Sequence, residues 1–299
     1  MIGMWLKRVI LWSGLLLCMY ALWLSRALAG DAIGRVSAAG WGSVALLLAL
    51  SWLLSVLAWR QYLRAYTGHE PGWRTAMRQL GLLLIGKYIP GGVFGFLARV
   101  QDQTDDASRH QLFSAGLAEQ SVGIAMPIAL GGTLYLATNQ HLAWLGLTLL
   151  LPLLASIGVK LLHHCLAWLP WLRRHSTIEA PAWRDLLPAP TLQLAQLLSW
   201  VALVAMLAHE LYGLSAYAAL GISGAFLLAI AAGMLTILAP GGIGVREAAL
   251  VALASHWLDT PQAIFLSALL RLLSSLLDMG AGLATIFLKN HHPTLKKKS

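Results

Sequence analysis

The sequence has little charge, few cysteines and no nucleotide-binding loop. Asp, Glu, Lys and Arg make up 11% of its 299 residues, against roughly 25% in soluble globular domains. This composition excludes a soluble enzyme and a charge-rich disordered chain. The two cysteines, Cys18 and Cys165, are too few for a secreted disulfide scaffold. The lack of a Walker A sequence predicts that the chain itself does not hydrolyse ATP.

Apolar residues are abundant instead, at 58% of the chain, and they fall into runs of about 20 residues, the length that crosses a hydrocarbon core. The sequence therefore predicts an all-α integral membrane protein. Six runs are long enough to span the bilayer: 8–29, 39–59, 113–138, 142–162, 191–213 and 262–288. The first run ends in Ala27-Leu28-Ala29, which resembles a signal-peptidase site. We interpret it as an uncleaved span, because it exceeds the apolar core of about 7–15 residues in a signal peptide.

The net charge of +9 follows a membrane pattern. The basic residues lie beside the apolar runs without any DNA- or RNA-binding motif, so we expect no nucleic-acid partner. Lys and Arg are retained on the cytoplasmic side of membrane proteins, where anionic headgroups balance them. The segment 291–299, with Lys296-Lys297-Lys298, is predicted to be a basic cytoplasmic tail.

Two further apolar stretches, 77–99 and 222–257, are interrupted by Pro90-Gly91-Gly92 and Pro240-Gly241-Gly242. Proline removes a backbone donor and clashes with the preceding turn, so both helices are predicted to break there. The positive-inside rule favours re-entrant hairpins over full crossings. Re-entry leaves 16 of the 21 Lys and Arg residues on the face that carries both termini, whereas full crossings split them 10 to 8.

The two tracts are 150 residues apart, half the chain, and the runs around them repeat at a similar offset. Each half, 1–140 and 141–290, then contains three crossings and one re-entrant hairpin. Since three is odd, the second half is inserted upside down. We therefore predict one transmembrane domain, 1–299, built as an inverted repeat. This is a recurrent transporter architecture that holds substrate between the repeats.

The second hairpin has the strongest candidate site. Gly241, Gly242 and Gly244 are predicted to open a half-helix whose free N–H groups attract an anion. Arg246 adds a guanidinium suited to phosphate, with Glu247 as its resting partner. The alternative interpretation is an Arg246–Glu247 pair that only satisfies a buried turn.

The first hairpin offers a cation at similar depth. Lys87 and Tyr88 come directly before its break, Gly91 and Gly92 lie within it, and Arg99 ends it. We expect Lys87 and Arg99 to serve the cytoplasmic approach of a substrate. The alternative for Lys87 is a lysine that extends back to the membrane surface.

Further ionisable residues lie in the predicted spans. They are Glu119, His209, Glu210, Arg271 and Asp278. Glu119 and Arg271 follow the two Pro-Gly-Gly tracts at nearly equal distances, so they are expected to pair across the repeat axis or to bracket a charged substrate. Simple structural pairing is the alternative for each. Adjacent His residues lack the spacing of metal ligands, and we predict no metal or cofactor.

At the two tracts the chain resembles the lysylphosphatidylglycerol synthetase transmembrane-region family. The resemblance lies in Lys87-Tyr88-Ile89-Pro90-Gly91-Gly92 with Arg99, and in Ala239 to Glu247; Glu119 and Arg271 fall where that family tends to carry a glutamate and an arginine. It implies a membrane domain that flips a phospholipid, without the soluble aminoacyl transferase domain of some relatives.

We therefore expect a lipid translocase, or flippase, of the bacterial inner membrane with both termini cytoplasmic. Its substrate is expected to be a phospholipid or a polyprenyl-phosphate lipid, with Arg246 on the phosphate. Glu119, Glu210 and Asp278 are expected to balance charge or contact a cationic headgroup. Two alternatives stay open. One is an intramembrane headgroup transferase with His209-Glu210 as base and orienter. The other is a non-transporting partner of a glycosyltransferase or lipid synthase.

Overall fold

The computed structural model describes residues 34–88, 94–104, 107–138, 148–167, 181–236 and 242–286, together with residues 146 and 288. Over these residues the chain is almost entirely helical and contains no β-strand, which confirms the all-α prediction. Some of the predicted features lie outside the described residues. They are the span 8–29, the tail 291–299 and the candidate residues Gly91, Gly92 and Gly241.

Ten α-helices follow one another in the described part of the chain. They are α1 (Ala38–Thr67), α2 (Trp73–Gly86), α3 (Phe94–Gln101), α4 (Arg109–Ala137), α5 (Leu151–Ala167), α6 (Trp183–Leu186), α7 (Pro188–Tyr212), α8 (Ala216–Leu235), α9 (Val245–Ala254) and α10 (Thr260–Ile286). The first long helix starts at a regular cap, since the Ser37 hydroxyl accepts a hydrogen bond from the Gly40 N–H at 2.9 Å.

Six helical stretches are long and apolar enough to cross a membrane, as expected of a multi-pass membrane protein. They are Ala38–Thr67, Arg109–Ala137, Thr148–Cys165, Trp183–Tyr212, Ala216–Leu235 and Thr260–Thr285. Five of them overlap predicted spans. The sixth, α8, is the first limb of the second interrupted stretch and begins six residues before the predicted start at 222. Its 20 residues give about 30 Å at 1.5 Å per residue, enough to reach across a hydrocarbon core.

The helices on both sides of each Pro-Gly-Gly tract end and begin where the sequence predicts an interruption. α2 ends at Gly86 and α8 at Leu235, before the two prolines. The second limbs, α3 and α9, have only 8 and 10 residues, or about 12 and 15 Å of rise. Neither second limb is long enough to cross a bilayer alone.

The most extensive contacts between helices far apart in the sequence are those of α1 with α7, α4 with α8, and α2 with α10. The core between the helices includes Trp59, Phe226 and Phe265, all fully buried. Many outward residues are also apolar, for example Leu46 and Leu149. Helices that are apolar on all sides suit a hydrocarbon solvent better than water.

Each interrupted segment is closed by a contact between two glycines, one from each limb. Gly86 touches the backbone of Gly95, where a Cβ would lie 2.5 Å from the Leu83 carbonyl oxygen. In the second segment a Cβ on Gly242 would lie 2.6 Å from the Gly233 Cα, and Gly242 has a positive φ of 69°. Glycine allows backbones to approach this closely. Its function at these positions is therefore to fold the short limb back on the long one.

Candidate substrate site

The first break brings Lys87 and Tyr88 against α10. Both residues directly follow α2, which packs along α10. Lys87 Nζ lies 2.5 Å from Asp278 Oδ2, and the Tyr88 hydroxyl donates to the same oxygen at 2.8 Å. Tyr88 Oη is also 3.2 Å from Ser275 Oγ. Asp278 is 6% exposed, so Lys87 turns toward a buried carboxylate rather than extending away to the surface.

The second break brings Glu247 against Arg271 of α10. Glu247 Oε1 lies 3.6 Å from Arg271 Nη1, and its other oxygen accepts a hydrogen bond from the Gly244 N–H at 2.6 Å. Gly244, with a φ of 86°, precedes α9 directly. The Gly244 N–H, which the sequence predicted to be free for an anion, is therefore already bonded within the protein. Gly242, the other described candidate glycine of this tract, packs against Gly233.

Arg246 has a different neighbour from the predicted one. Its guanidinium lies 4.9 Å from the centre of the Phe226 ring, and the side chain is half-buried. Arg271, Glu247 and Asp278 are close enough to interact with it electrostatically. Arg246 and Glu247 interact only at longer range and do not form the predicted ion pair within 4 Å, because consecutive helical residues point about 100° apart. Glu247 faces Arg271 instead.

Both breaks therefore contribute to one charged group, which we call the α10 cluster. Its members are Lys87, Tyr88, Arg246, Glu247, Arg271 and Asp278. The Arg271 guanidinium lies 5.9 Å from the centre of the Tyr88 ring, which joins the two ion pairs. With three cations and two carboxylates in their ionised forms, the cluster carries an excess of one positive charge. Ionisable groups among apolar helices are candidate functional residues.

A second charged pair lies between α3 and α4. Arg99 is fully buried; its Nη2 lies 2.5 Å from Glu119 Oε2, and its guanidinium stacks 3.7 Å from the centre of a Trp59 ring. Gly116 provides the space, since a Cβ there would lie 3.1 Å from Arg99 Nη2. The ion pair and the cation–π contact together offset the desolvation of Arg99.

Glu119 and Arg271 do not pair with each other. Each pairs with a residue of the short helix that precedes its own helix, Glu119 with Arg99 of α3 and Arg271 with Glu247 of α9. The predicted pairing across the halves is therefore wrong, because α3 packs on α4 and α9 on α10. The charges of the two pairs are reversed. The short helix α3 contributes the cation to the first pair, whereas the short helix α9 contributes the anion to the second.

Sequence reasoning missed the polar residues that support Arg99. Trp59 Nε1 donates to Gln79 Oε1 at 2.9 Å, and Gln79 Nε2 donates to the Asp102 carbonyl oxygen at 3.0 Å. Asp102 also forms an ion pair with Arg78. Trp59 lies at the end of an apolar run, where tryptophan usually marks the membrane interface. The fully buried Gln79 was the one available signal, as a lone amide in an apolar stretch.

The structure places Glu210 and His209 at the end of α7, in other contacts than the α10 cluster. Glu210 Oε2 accepts a hydrogen bond from the Ser37 backbone N–H at 3.0 Å, so it caps the start of α1. His209 is exposed and its Nδ1 lies 2.8 Å from the Leu214 carbonyl oxygen. Among the described residues, neither side chain forms a hydrogen bond or ion pair with a member of the α10 cluster. A substrate contact of Glu210 stays a prediction.

The described residues contain no group of three or more His, Cys, Asp or Glu side chains that could hold a metal ion. The two carboxylates of the α10 cluster, Asp278 and Glu247, each form an ion pair, and Glu247 also accepts a hydrogen bond from a backbone N–H group. The chemistry that this arrangement offers is the binding of an anion by excess guanidinium and ammonium groups.

No protein-family model, curated protein or solved structure matches the chain. The family resemblance at the two Pro-Gly-Gly tracts therefore stays a prediction.

Proposed function

We propose that the protein is a lipid translocase, or flippase, that moves a phospholipid or another phosphate-bearing lipid between the leaflets of a bacterial inner membrane. The observation that carries the proposal is the excess cation of the α10 cluster. Arg246 has no hydrogen-bond or ion-pair partner among the described residues. A phosphate group matches a guanidinium by charge and by its paired oxygens.

The other charges of the cluster explain why Arg246 is the available group. Arg271 is paired with Glu247, and Lys87 with Asp278. The Arg246 guanidinium lies over the Phe226 ring. This cation–π contact leaves the N–H groups of Arg246 available to donate hydrogen bonds. A phosphodiester with a single negative charge neutralises the excess charge, while its acyl chains stay in the surrounding lipid.

A two-repeat architecture supports transport between two sides. We propose that α1 to α4 correspond to α7 to α10 in the opposite orientation. If each helix is replaced by its counterpart, the main contacts stay the same. The α1–α7 contact maps onto itself, and the α2–α10 contact maps onto the α8–α4 contact, which is also present. Tilting of one repeat against the other then exposes a central site to each leaflet in turn.

Glycines on corresponding helices of the two interfaces support the same arrangement. Between α2 and α10, Gly282 lies near Gly81, with a Cβ at Gly282 placed 3.6 Å from the Gly81 carbonyl oxygen. Between α8 and α4, a Cβ at Gly131 would lie 2.9 Å from the Gly224 carbonyl oxygen. Gly81 and Gly224 lie on corresponding helices, as do Gly131 and Gly282, so both interfaces use glycine for close approach.

Short second limbs support re-entrant hairpins. α3 and α9 have 8 and 10 residues, and each packs on the limb before it. Backbone broken at membrane depth is tolerated only where protein or a polar cavity surrounds it. We propose that both hairpins enter and leave on one side, with both termini cytoplasmic.

The proposal is tested with purified protein in liposomes that carry fluorescent phosphatidylglycerol or phosphatidylethanolamine in both leaflets. A membrane-impermeant reductant bleaches the outer leaflet, and further bleaching measures lipid movement. Arg246→Ala is expected to slow movement roughly tenfold or more, since hydrogen bonds to charged groups contribute about 1.5–3 kcal/mol. Arg74→Ala, a change of an exposed arginine on α2, is the matched control and should keep the wild-type rate.

Three results would contradict the proposal. The first is a wild-type rate in a folded Arg246→Ala variant, or no movement by the wild type above empty liposomes. The second is uptake of inorganic phosphate without lipid movement, which would make the protein a phosphate transporter. The third is a chemically altered lipid in mass spectra of the same vesicles, which would favour a headgroup transferase.

A further inference from the structure

We propose that a proton is a second transported species and that Asp278 carries it, one proton moving with each lipid phosphate. This inference rests on the proposed lipid translocation. Its basis is geometric: Lys87 is the ion-pair partner of Asp278, and Arg246, the proposed phosphate ligand, lies close enough to Asp278 and Tyr88 to interact with them electrostatically.

Lys87 is the cluster cation that can change partners. Its side chain is 39% exposed, whereas that of Asp278 is 9% exposed. A phosphate held by Arg246 attracts the mobile ammonium group of Lys87, which lies on a flexible four-carbon stem. Asp278 then loses its counter-ion while it stays buried. A buried carboxylate without a cation is more stable as the neutral acid, so it takes up a proton.

The groups that face Asp278 come from three elements. The end of α2 supplies Lys87 and Tyr88, α9 supplies Arg246 with Glu247 beside it, and α10 itself supplies Arg271 two turns away. The marginal contact of α1 with α10 adds no hydrogen bond or ion pair to Asp278 among the described residues.

Glu247 is held differently and keeps its charge. Its Oε2 accepts a hydrogen bond from the Gly244 N–H, a backbone group that cannot move to the phosphate. Its Oε1 forms an ion pair with Arg271 at 3.6 Å. Once Lys87 leaves, the one direct contact left to Asp278 among the described residues is the hydrogen bond from Tyr88. Of the cations farther away, Arg246 then holds the phosphate and Arg271 is paired with Glu247. Tyr88 also has Ser275 within 3.2 Å, so its hydroxyl can turn away or accept a hydrogen bond when Asp278 becomes a neutral donor.

One proton per phosphodiester leaves the charge of the cluster unchanged. The empty cluster carries one excess positive charge. A phosphodiester brings one negative charge and the proton brings one positive charge, so the loaded cluster has the same charge as the empty one. The proton comes from water on the side where the headgroup enters and is released on the other side. The two therefore move together in the same direction.

The first experiment measures proton uptake on lipid binding. Dilauroyl phosphatidylglycerol is added to detergent-solubilised protein in weakly buffered solution with a pH indicator, and bound lipid is measured after gel filtration. The wild type is expected to take up about one proton per bound lipid, since one carboxylate loses its cation. Asp278→Asn should bind the lipid without proton uptake. Asp259→Asn, the same change at an exposed residue before α10, should behave as the wild type.

If the Asp278→Asn variant does not fold, two measurements on the wild type still test the inference. Lipid binding should produce the infrared band of a protonated carboxyl group. In liposomes with a pH gradient, fluorescent phosphatidylglycerol should accumulate in the leaflet that faces the alkaline side, and reversal of the gradient should reverse the accumulation. Lipid binding without proton uptake or infrared band, or movement indifferent to the gradient, overturns this inference but leaves the translocase intact. Absence of any lipid binding or movement overturns the translocase itself.

Discussion

Glu210, at the end of α7, accepts a hydrogen bond from the backbone N–H of Ser37, a residue 173 positions earlier at the start of α1. The Ser37 hydroxyl lies 3.4 Å from the same carboxylate oxygen, and a Cβ at Gly40 would collide with the carboxylate. A negative charge at a helix N-terminus satisfies unpaired N–H groups and complements the helix dipole. The contact therefore links the C-terminal end of α7 to the N-terminal end of α1.

Replacement of Glu210 should lower stability rather than abolish transport directly. Glu210→Ala is expected to reduce the free energy of unfolding by about 1 kcal/mol, as loss of a helix cap does, and Glu210→Gln by less because it retains an acceptor oxygen. Thermal unfolding in detergent measures both. Glu70→Ala, which removes an ion pair with Arg60 on a 41% exposed side chain, should have a smaller effect. Loss of lipid movement by a fully folded Glu210→Gln variant would instead indicate a headgroup contact.

The Arg99–Glu119 pair should be more important for stability than any exposed pair. Arg99→Met leaves the Glu119 carboxylate buried without its cation, which is expected to destabilise by about 3–5 kcal/mol. The double variant Arg99→Met, Glu119→Leu removes both charges and should recover most of that loss. Chemical unfolding of the wild type, the single variants Arg99→Met and Glu119→Leu, and the double variant in the same detergent measures the coupling. A double variant as unstable as the sum of the two single ones would contradict this interpretation.

The sequence allowed prediction of the features that depend on local pattern. Apolar runs of spanning length and the two proline-centred interruptions were readable, because they depend on helix length and on missing backbone donors. The partners of the charged residues were not. Lys87 and Asp278 meet across 191 positions only because α2 packs on α10, and the separate pairings of Glu119 and Arg271 depend on where α3 and α9 fold back. These pairings depend on tertiary packing, which produces no periodic pattern in the amino-acid sequence.

Glycine contacts were missed for a related reason. Gly86 and Gly95 lie in apolar stretches in which any small residue suits lipid, so only the structure shows that their backbones touch. Gly86→Ala should separate α2 from α3 and lower the unfolding temperature. Gly132→Ala, on α4 with open space around its Cα, should be neutral or stabilising, since alanine is about 1 kcal/mol better than glycine in helices. Equal effects of the two changes on the unfolding temperature would show that the Gly86–Gly95 contact contributes nothing.

The proposed orientation of the hairpins predicts which loops share a side. Single cysteines are introduced at His69 and His110, which flank the first hairpin, and at Ala216 and Ser255, which flank the second; all four positions are exposed. Cys18 and Cys165 are replaced by serine in each. With re-entrant hairpins, a membrane-impermeant maleimide labels the second pair in intact spheroplasts and the first pair only after permeabilisation.

The cysteines at positions 216 and 255 test whether the second interrupted segment re-enters or crosses the membrane. α8 alone is long enough to cross the membrane, with 20 residues, whereas α9, with 10 residues, is not. Labelling of Ala216→Cys and Ser255→Cys from opposite sides would mean that this segment crosses completely, which places α10 in the opposite orientation and moves its C-terminal end outside. The positive-inside rule opposes that result, since Lys289 and Lys296-Lys297-Lys298 follow α10 and favour the cytoplasmic side. Labelling of both positions from the same outer side is therefore the expected outcome.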